Sequence, residues 1–136
     1  MIRTFSATLD ALYEMLQFIR EHAESAGFSA ACVSKIELAA EEALVNIVSY
    51  GYPNRQGIIE INCSHQKAFG FKIVIKDYGV AYNPINHTKQ FPSASLDNRN
   101  IGGYGVYFIL KIMDEVNYAR ENDVNILTLI KYYDTE

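Results

Sequence analysis

The chain has 136 residues and a net charge of −4, with 49% hydrophobic and 21% charged residues. This length suits one globular unit with its own core, and we expect residues 1–136 to form a single domain. The composition excludes a disordered or fibrous chain, and the mild negative charge argues against direct binding to nucleic acid or anionic lipid. No apolar run approaches the roughly 20 residues that span a membrane.

Three further features of the sequence concern the location of the protein and its capacity to bind zinc. The N-terminal residues alternate in polarity like a strand and lack the pattern of a charged segment followed by an apolar signal core. Cys32 and Cys63 have no CxxC spacing, so we expect reduced, buried thiols, which implies a reducing cytoplasm. The histidines at positions 22, 65 and 87 form no ligand cluster for zinc.

The first half of the chain predicts one strand and two helices. Alternation over residues 2–8 predicts a short strand, and helical spacing over residues 9–26 predicts a helix that Gly27 ends. Ser29 is a suitable N-cap for a second helix over residues 30–50. The predicted core face of the second helix is formed by Val33, Ile36, Ala40, Leu44 and Ile47.

The second half predicts two hairpins separated by a long loop and a helix. Residues 82–102 are rich in Pro, Asn, Ser and Thr without clear periodicity, which is typical of a lid or binding loop. Helical spacing resumes after this loop. Strands are predicted at residues 58–64, 69–76, 115–120 and 124–131. This order predicts an α+β fold, a two-layer sandwich with helices on one face of a mixed, largely antiparallel sheet.

The second helix carries three polar residues in one line. Glu42, Asn46 and Tyr50 are four residues apart in series, so they stack along one side. Asn is a poor helix-interior residue, and here it interrupts an apolar stretch, which suggests that its amide is used. An amide oxygen suits Mg²⁺, and a carboxylate one turn away can deprotonate a hydroxyl. The alternative is a solvated acidic face with an incidental Asn.

Asp77-Tyr78-Gly79 follows a half-buried strand. A carboxylate there can accept the amino hydrogens of adenine, and the glycine allows the base to approach the backbone. The alternative is an ordinary strand-ending turn.

Gly102-Gly103-Tyr104-Gly105 opens the third helix. Bare N–H groups at a helix start can bind a phosphate. The pattern is neither a P-loop nor a Rossmann fingerprint. A hinge or close helix packing is the alternative.

In this order the three segments resemble the boxes of the GHKL ATPase superfamily, and more closely those of bacterial anti-sigma factor serine kinases. Residues 37–46 resemble the N box and residues 76–79 the first glycine box. Residues 102–106, with residues 113–116 downstream, resemble the second glycine box, and the closing strand over residues 125–131 matches as well. The resemblance covers nearly the whole chain and implies the Bergerat fold.

The resemblance also implies a role for each box in binding Mg²⁺ and ATP. Asn46 would ligate Mg²⁺, and Glu42 would be the general base that activates a substrate serine. Asp77 would bind the adenine amino group, with Gly79 beside the base. The phosphates would lie under a lid of residues 83–101 and be cradled by Gly102, Gly103, Tyr104 and Gly105.

Two departures from the family pattern concern phosphoryl transfer. An Arg often precedes the second glycine box, whereas the nearest candidate here is Arg99. Tyr50 stands where the family often has His. Thr128 is the only hydroxyl in the last strand, and the sequence leaves open which residue of that strand meets adenine.

The resemblance further implies a sigma factor and a STAS-type anti-sigma factor antagonist as partners, a homodimer, and no direct contact with nucleic acid or membrane. Two other functions stay open. The protein can be a non-catalytic ATP-binding switch module, or the catalytic domain of a split histidine kinase, although the chain has no helical hairpin with a phosphoacceptor His.

Overall fold

The computed structural model describes residues 1–52, 56–83 and 101–133, without the side chains of residues 101–104. The strands are β1 (Ile2–Ser6), β2 (Ile58–Gln66), β3 (Gly70–Asp77), β4 (Glu115–Glu121) and β5 (Val124–Tyr132). They form one five-stranded sheet in the order β1-β2-β3-β5-β4, and each neighbouring pair is antiparallel.

Three α-helices form the second layer. They are α1 (Leu12–Ser25), α2 (Ala30–Asn46) and α3 (Ile101–Ile112). A short 3₁₀ turn, Leu9–Ala11, precedes α1. Gly27 has a φ of +99°, which favours glycine and reverses the chain between α1 and α2. The side chain of Ser29 then accepts a hydrogen bond from Cys32 N at 3.2 Å and caps α2 as predicted.

The core lies between the helices and one face of the sheet. Alternate strand residues are fully buried there, among them Ile59, Ile61, Phe71, Ile73, Ile75 and Leu129. Their neighbours in sequence lie on the outer face and are more exposed. The predicted core face of α2 is confirmed, because all five of its residues are buried. The core therefore fixes which side of α2 faces the sheet.

The predicted two-layer α+β sandwich is confirmed, with three differences in detail. No described strand pair is parallel, whereas a mixed sheet was expected. The second helix is α-helical only to Asn46 and continues as a π-helical turn, Ile47–Gly51. The third helix begins at Ile101, within the range predicted for the loop, and the glycines lie in its first turns. Most of the predicted loop over residues 82–102 lies outside the described residues.

None of the helices in the described ranges is long and apolar enough to cross a membrane. The expectation of buried thiols holds for Cys63, where burial raises the pKa to about 12. Cys32 is only partly buried.

Candidate nucleotide site

Asn46 is a buried polar residue at the point where α2 changes from an α-helix to a π-helical turn. Only 5% of it is exposed, and its Nδ2 atom has no hydrogen-bond partner in the described part of the chain. A buried donor without a partner costs about 1–3 kcal/mol, and π-helical turns are frequent at functional sites. The residue therefore has the features expected of a side chain that meets a ligand.

The Asn46 amide suits a metal–phosphate ligand in either orientation. Its nitrogen and oxygen have almost the same shape, so the group can present a donor to a phosphate or an acceptor to a cation. No group of three His, Cys, Asp or Glu side chains that could hold a metal occurs among the described residues. An ion here would take its remaining ligands from water and phosphate, as Mg²⁺ commonly does.

Glu42 lies one helical turn before Asn46 and is partly buried. Burial raises the pKa of its carboxyl group, and the negative charge of Glu41 raises it further. A carboxylate with a raised pKa holds a proton more readily, which favours a general base.

Gly105 packs directly against Glu42. A Cβ atom built on Gly105 would lie 2.3 Å from Glu42 Oε1 and 3.2 Å from its Cδ, so the carboxylate occupies the space that a side chain would fill. This contact joins the early turns of α3 to the second half of α2. The first turn of an α-helix has amides without intrahelical partners, and in α3 that turn includes Gly102 and Gly103.

Asp77 ends β3 and is almost completely buried, with 3% exposed. Its Oδ1 atom accepts hydrogen bonds from Gly79 N and from Asn125 Nδ2, both at 3.0 Å. Burial raises the pKa of the carboxyl group, while these two hydrogen bonds and the charge of Arg120 act in the opposite direction. The two hydrogen bonds therefore hold the carboxylate in one orientation. Its burial carries a desolvation cost.

Gly79 allows the turn after β3 to meet the end of the second helix. Val80 N donates to Gly51 O at 3.0 Å, and a Cβ atom built on Gly79 would lie 2.2 Å from that oxygen. The close approach that Gly79 allows in the described structure is therefore that of the Gly51 backbone. Contact of Gly79 with a base stays a prediction.

The second helix and the π-helical turn that continues it contact both predicted glycine boxes. Glu42, in the predicted N box, contacts the second glycine box, and Gly51, at the end of the π-helical turn, contacts the first. Asn46 lies in the sequence between the two contacts, where the α-helix changes to the π-helical turn. Tyr50 follows in the π-helical turn, and its ring stacks on Tyr82 with 5.1 Å between centroids.

Other predicted residues are placed only in part. Gly102, Gly103 and Tyr104 belong to the first turn of α3, but no contact of theirs is described. Arg99 and most of the lid over residues 83–101 lie outside the described residues.

The sequence interpretation missed Asn125 as a site residue. In β5, Asn125 shares the buried face with Leu127 and Leu129, and it is the Cα partner of Asp77. Thr128 lies on the opposite face, away from the helices, so it is not beside Asp77. The sequence signal that could have identified Asn125 is its spacing: it alternates with Leu127 and Leu129, so it falls on the same face of the strand as these two apolar residues.

In this two-layer sandwich the second helix and its π-helical continuation carry the buried Asn46 amide and contact both the glycine-rich start of α3 and the turn that follows the buried Asp77 carboxylate. Amides, carboxylates and helix starts are groups that can bind a nucleotide. The family described as histidine kinase-like ATPase domain matches residues 5–131, and this chain belongs to that family.

Its relatives include protein kinases. The chain is 34% identical over 117 residues to serine-protein kinase RsbW of Staphylococcus epidermidis, covering 82% of this chain and 72% of that protein. It is 30% identical over 130 residues to serine/threonine-protein kinase BtrW of Bordetella bronchiseptica, covering 95% and 88%. The resemblance to GHKL serine kinases is thereby confirmed.

Solved structures agree on the fold. The mycobacterial sensor histidine kinase MprB has a TM-score of 0.55 at 14% identity, covering 96% of this chain and 97% of that one. The histidine kinase domain of the Erythrobacter litoralis EL346 blue-light activated histidine kinase has a TM-score of 0.54 at 16% identity, covering 88% of this chain. This chain spans 64% of that kinase domain.

Proposed function

We propose that this protein is an ATP-dependent serine protein kinase that binds a sigma factor and phosphorylates a STAS-type anti-sigma factor antagonist. The observation that carries the proposal is the position of Glu42. Its carboxylate packs on Gly105 at the start of α3 and lies one turn from Asn46, whose amide nitrogen has no partner among the described residues. A base, a candidate metal ligand and a phosphate-binding helix start are thus neighbours.

In the proposed reaction, the oxygen of a substrate serine forms a bond to the γ-phosphorus of ATP. The bond between that phosphorus and the β,γ-bridging oxygen breaks, and ADP leaves. Glu42 accepts the hydroxyl proton, for which its raised pKa is suited. The backbone N–H groups of the first turn of α3 orient the transferring phosphate.

Asn46 would hold Mg²⁺ through its amide oxygen, and the ion would neutralise charge on the phosphates. Asp77 would bind the adenine amino group, since its carboxylate is fixed and buried beside Gly79. Discrimination by a buried, oriented acceptor is strong because a wrong base leaves the acceptor unpaired.

The protein partners are proposed from the family. The relatives are named serine-protein kinase and serine/threonine-protein kinase, which supports protein serine as the acceptor. A cytoplasmic homodimer is proposed as the assembly. Its support is the outer sheet face, where Val74, Ile126 and Ile130 are only half-buried and no described helix covers them.

The test is to mix the purified protein, Mg-ATP and each STAS-domain protein of the source organism, and to detect phosphoserine by mass spectrometry. We expect one STAS-domain protein to be phosphorylated at a single serine. Nucleotide binding with ATP-dependent partner capture but no phosphoserine on any of them would replace the kinase with the switch module. Phosphohistidine on the protein itself would instead indicate a split histidine kinase.

A further inference from the structure

Asn125 lies directly beside Asp77 in the sheet. The two residues are Cα partners across β3 and β5, and each has only 3% of its surface exposed. Asn125 Nδ2 donates to Asp77 Oδ1 at 3.0 Å and to Val80 O at 2.9 Å. Asn125 therefore joins the carboxylate to the turn that follows it.

The oxygen of the Asn125 amide is also fully used. Oδ1 accepts hydrogen bonds from Arg120 Nη1 at 3.0 Å and from the hydroxyl of Tyr118. An Asn amide offers two donors and two acceptor lone pairs, and all four are engaged here. Turning the amide over would place its oxygen against the Asp77 carboxylate and its nitrogen against two donors. The network thus fixes one orientation.

Arg120 connects the Asn125 amide to the turn that follows β3. Its Nη1 also donates to Gly79 O at 3.2 Å, and its Nη2 lies 3.6 Å from Asp123 Oδ1 in the hairpin between β4 and β5. The positive charge lowers the pKa of Asp77 against the larger effect of burial. Arg120 therefore holds Asn125 and Gly79 together and favours the ionised carboxylate.

The network leaves the two carboxylate oxygens of Asp77 in different states. Oδ1 accepts from Gly79 N and Asn125 Nδ2, whereas Oδ2 accepts no hydrogen bond from any described residue. Rotation of the carboxylate would break two hydrogen bonds, so Oδ2 is held in place as the acceptor for a ligand.

We propose that Asn125 and Arg120 are positioning residues for base selection, because they hold Asp77 with Oδ2 available to the exocyclic 6-amino group of a purine. The inference rests on the proposed binding of ATP. Neither residue needs to touch the base, since each acts through Asp77. A purely structural role would weaken all nucleotides equally, whereas a positioning role weakens those that carry the amine.

The experiment compares the Kd of Mg-ATP with that of purine riboside triphosphate, which lacks the 6-amino group. Calorimetry is applied to the wild type, Asn125→Leu, Arg120→Gln and the control Asn117→Leu. Asn117 lies on β4, opposite Thr128 on the outer face. We expect the wild type to prefer ATP by about 10- to 150-fold, as for a hydrogen bond to a charged group. The preference should nearly vanish in Asn125→Leu, fall severalfold in Arg120→Gln and persist in Asn117→Leu.

The outcomes separate this inference from the proposed function. If the wild type binds neither triphosphate, the proposed function and the inference both fail. If it binds both equally, base selection by Asp77 is wrong while ATP binding stands. If the preference persists in both Asn125→Leu and Arg120→Gln, the network is only structural. Should Asn125→Leu not fold, the more exposed Arg120→Gln decides.

Discussion

The two ends of the candidate site differ in how fully their polar groups are satisfied. At the end near β3, Asp77 Oδ1 receives two hydrogen bonds, and its partner Asn125 uses every donor and acceptor. At the end near α3, Asn46 Nδ2 is buried without a partner among the described residues, and Glu42 has a raised pKa. We infer that the first end is preorganised for a ligand, and we propose that the second end is completed by one.

This difference suggests a division of labour. A base-binding acceptor gains specificity from being fixed, because a mismatched base then leaves it unpaired. A metal and triphosphate bring their own charge and ligands, so the protein groups that meet them are unsatisfied in their absence. Substitutions at the two ends are therefore expected to have different consequences for stability and binding.

The largest effect is expected from Glu42→Gln. Removal of a general base lowers the rate of phosphoryl transfer by about 10²- to 10⁴-fold, while the Kd for Mg-ATP changes little, since the shape is kept. Single-turnover transfer to the antagonist and calorimetry measure the two quantities. Glu24→Gln, at an exposed position of α1, is the matched control. Equal transfer by wild type and Glu42→Gln would show that another group takes the proton.

The pH dependence of phosphoryl transfer is a second test of Glu42 as the general base. Because burial and Glu41 raise the pKa of Glu42, the rate should decline on the acid side at a higher pH than for an ordinary glutamate. Glu41→Gln removes one of the two causes and should move this decline to lower pH. A pH–rate profile measured with both proteins tests it, and an unmoved acid limb would exclude Glu42 as the titrating group.

Asn46→Leu should weaken Mg-ATP binding by about 10- to 150-fold, as for lost contacts to charged groups. The same variant should be more stable without nucleotide, by about 1 kcal/mol, because it removes a buried donor that has no described partner. Calorimetry and urea unfolding measure these effects. A loss of stability in the nucleotide-free protein would show that the amide is already satisfied.

Gly79→Ala should lower the free energy of unfolding by about 1–3 kcal/mol, because its Cβ would meet the Gly51 carbonyl, which cannot move aside cheaply. Gly105→Ala is the comparison, since its Cβ meets the flexible end of Glu42 and alanine favours a helix. Gly105→Ala should therefore keep stability and lose transfer. The reverse ranking in urea unfolding would contradict the described packing.

The smallest effect concerns the pH dependence of stability. Asp77 has a raised pKa in the folded protein, so its contribution is fully present below the unfolded pKa and is lost as the pH rises through the folded pKa. Asp77→Asn retains an oxygen that can accept hydrogen bonds from Gly79 N and Asn125 Nδ2. It has no titratable carboxyl group, so this pH dependence of stability is removed. We expect its stability at neutral pH to equal or exceed that of the wild type, measured by urea unfolding across pH. A clear loss would mean that burial is not the dominant cause.

Local patterns in the sequence predicted most of the fold. The Ser29 cap, the Gly27 stop and the buried face of α2 follow from chemistry within a few residues of each position. The π-helical turn over Ile47–Gly51 was missed because its wider spacing leaves no separate mark in the residue pattern. The early start of α3 was missed because glycines are poor helix formers.

The site was less predictable because its contacts join distant segments. The packing of Gly105 on Glu42 and of Gly79 on Gly51 depends on how α2 lies between the other elements. Asn125 could be assigned to Asp77 only after the register of β3 with β5 was known, since a shift of one residue would have placed Thr128 on that face.

The most direct test titrates ADP into the wild type, Asn46→Leu and Asp77→Asn by calorimetry, once with Mg²⁺ and once with EDTA. The account predicts that Asp77→Asn weakens binding under both conditions, whereas Asn46→Leu weakens it only when Mg²⁺ is present. No binding by the wild type, or equal binding by all three proteins with Mg²⁺, would contradict the claim that these residues form one Mg-nucleotide site.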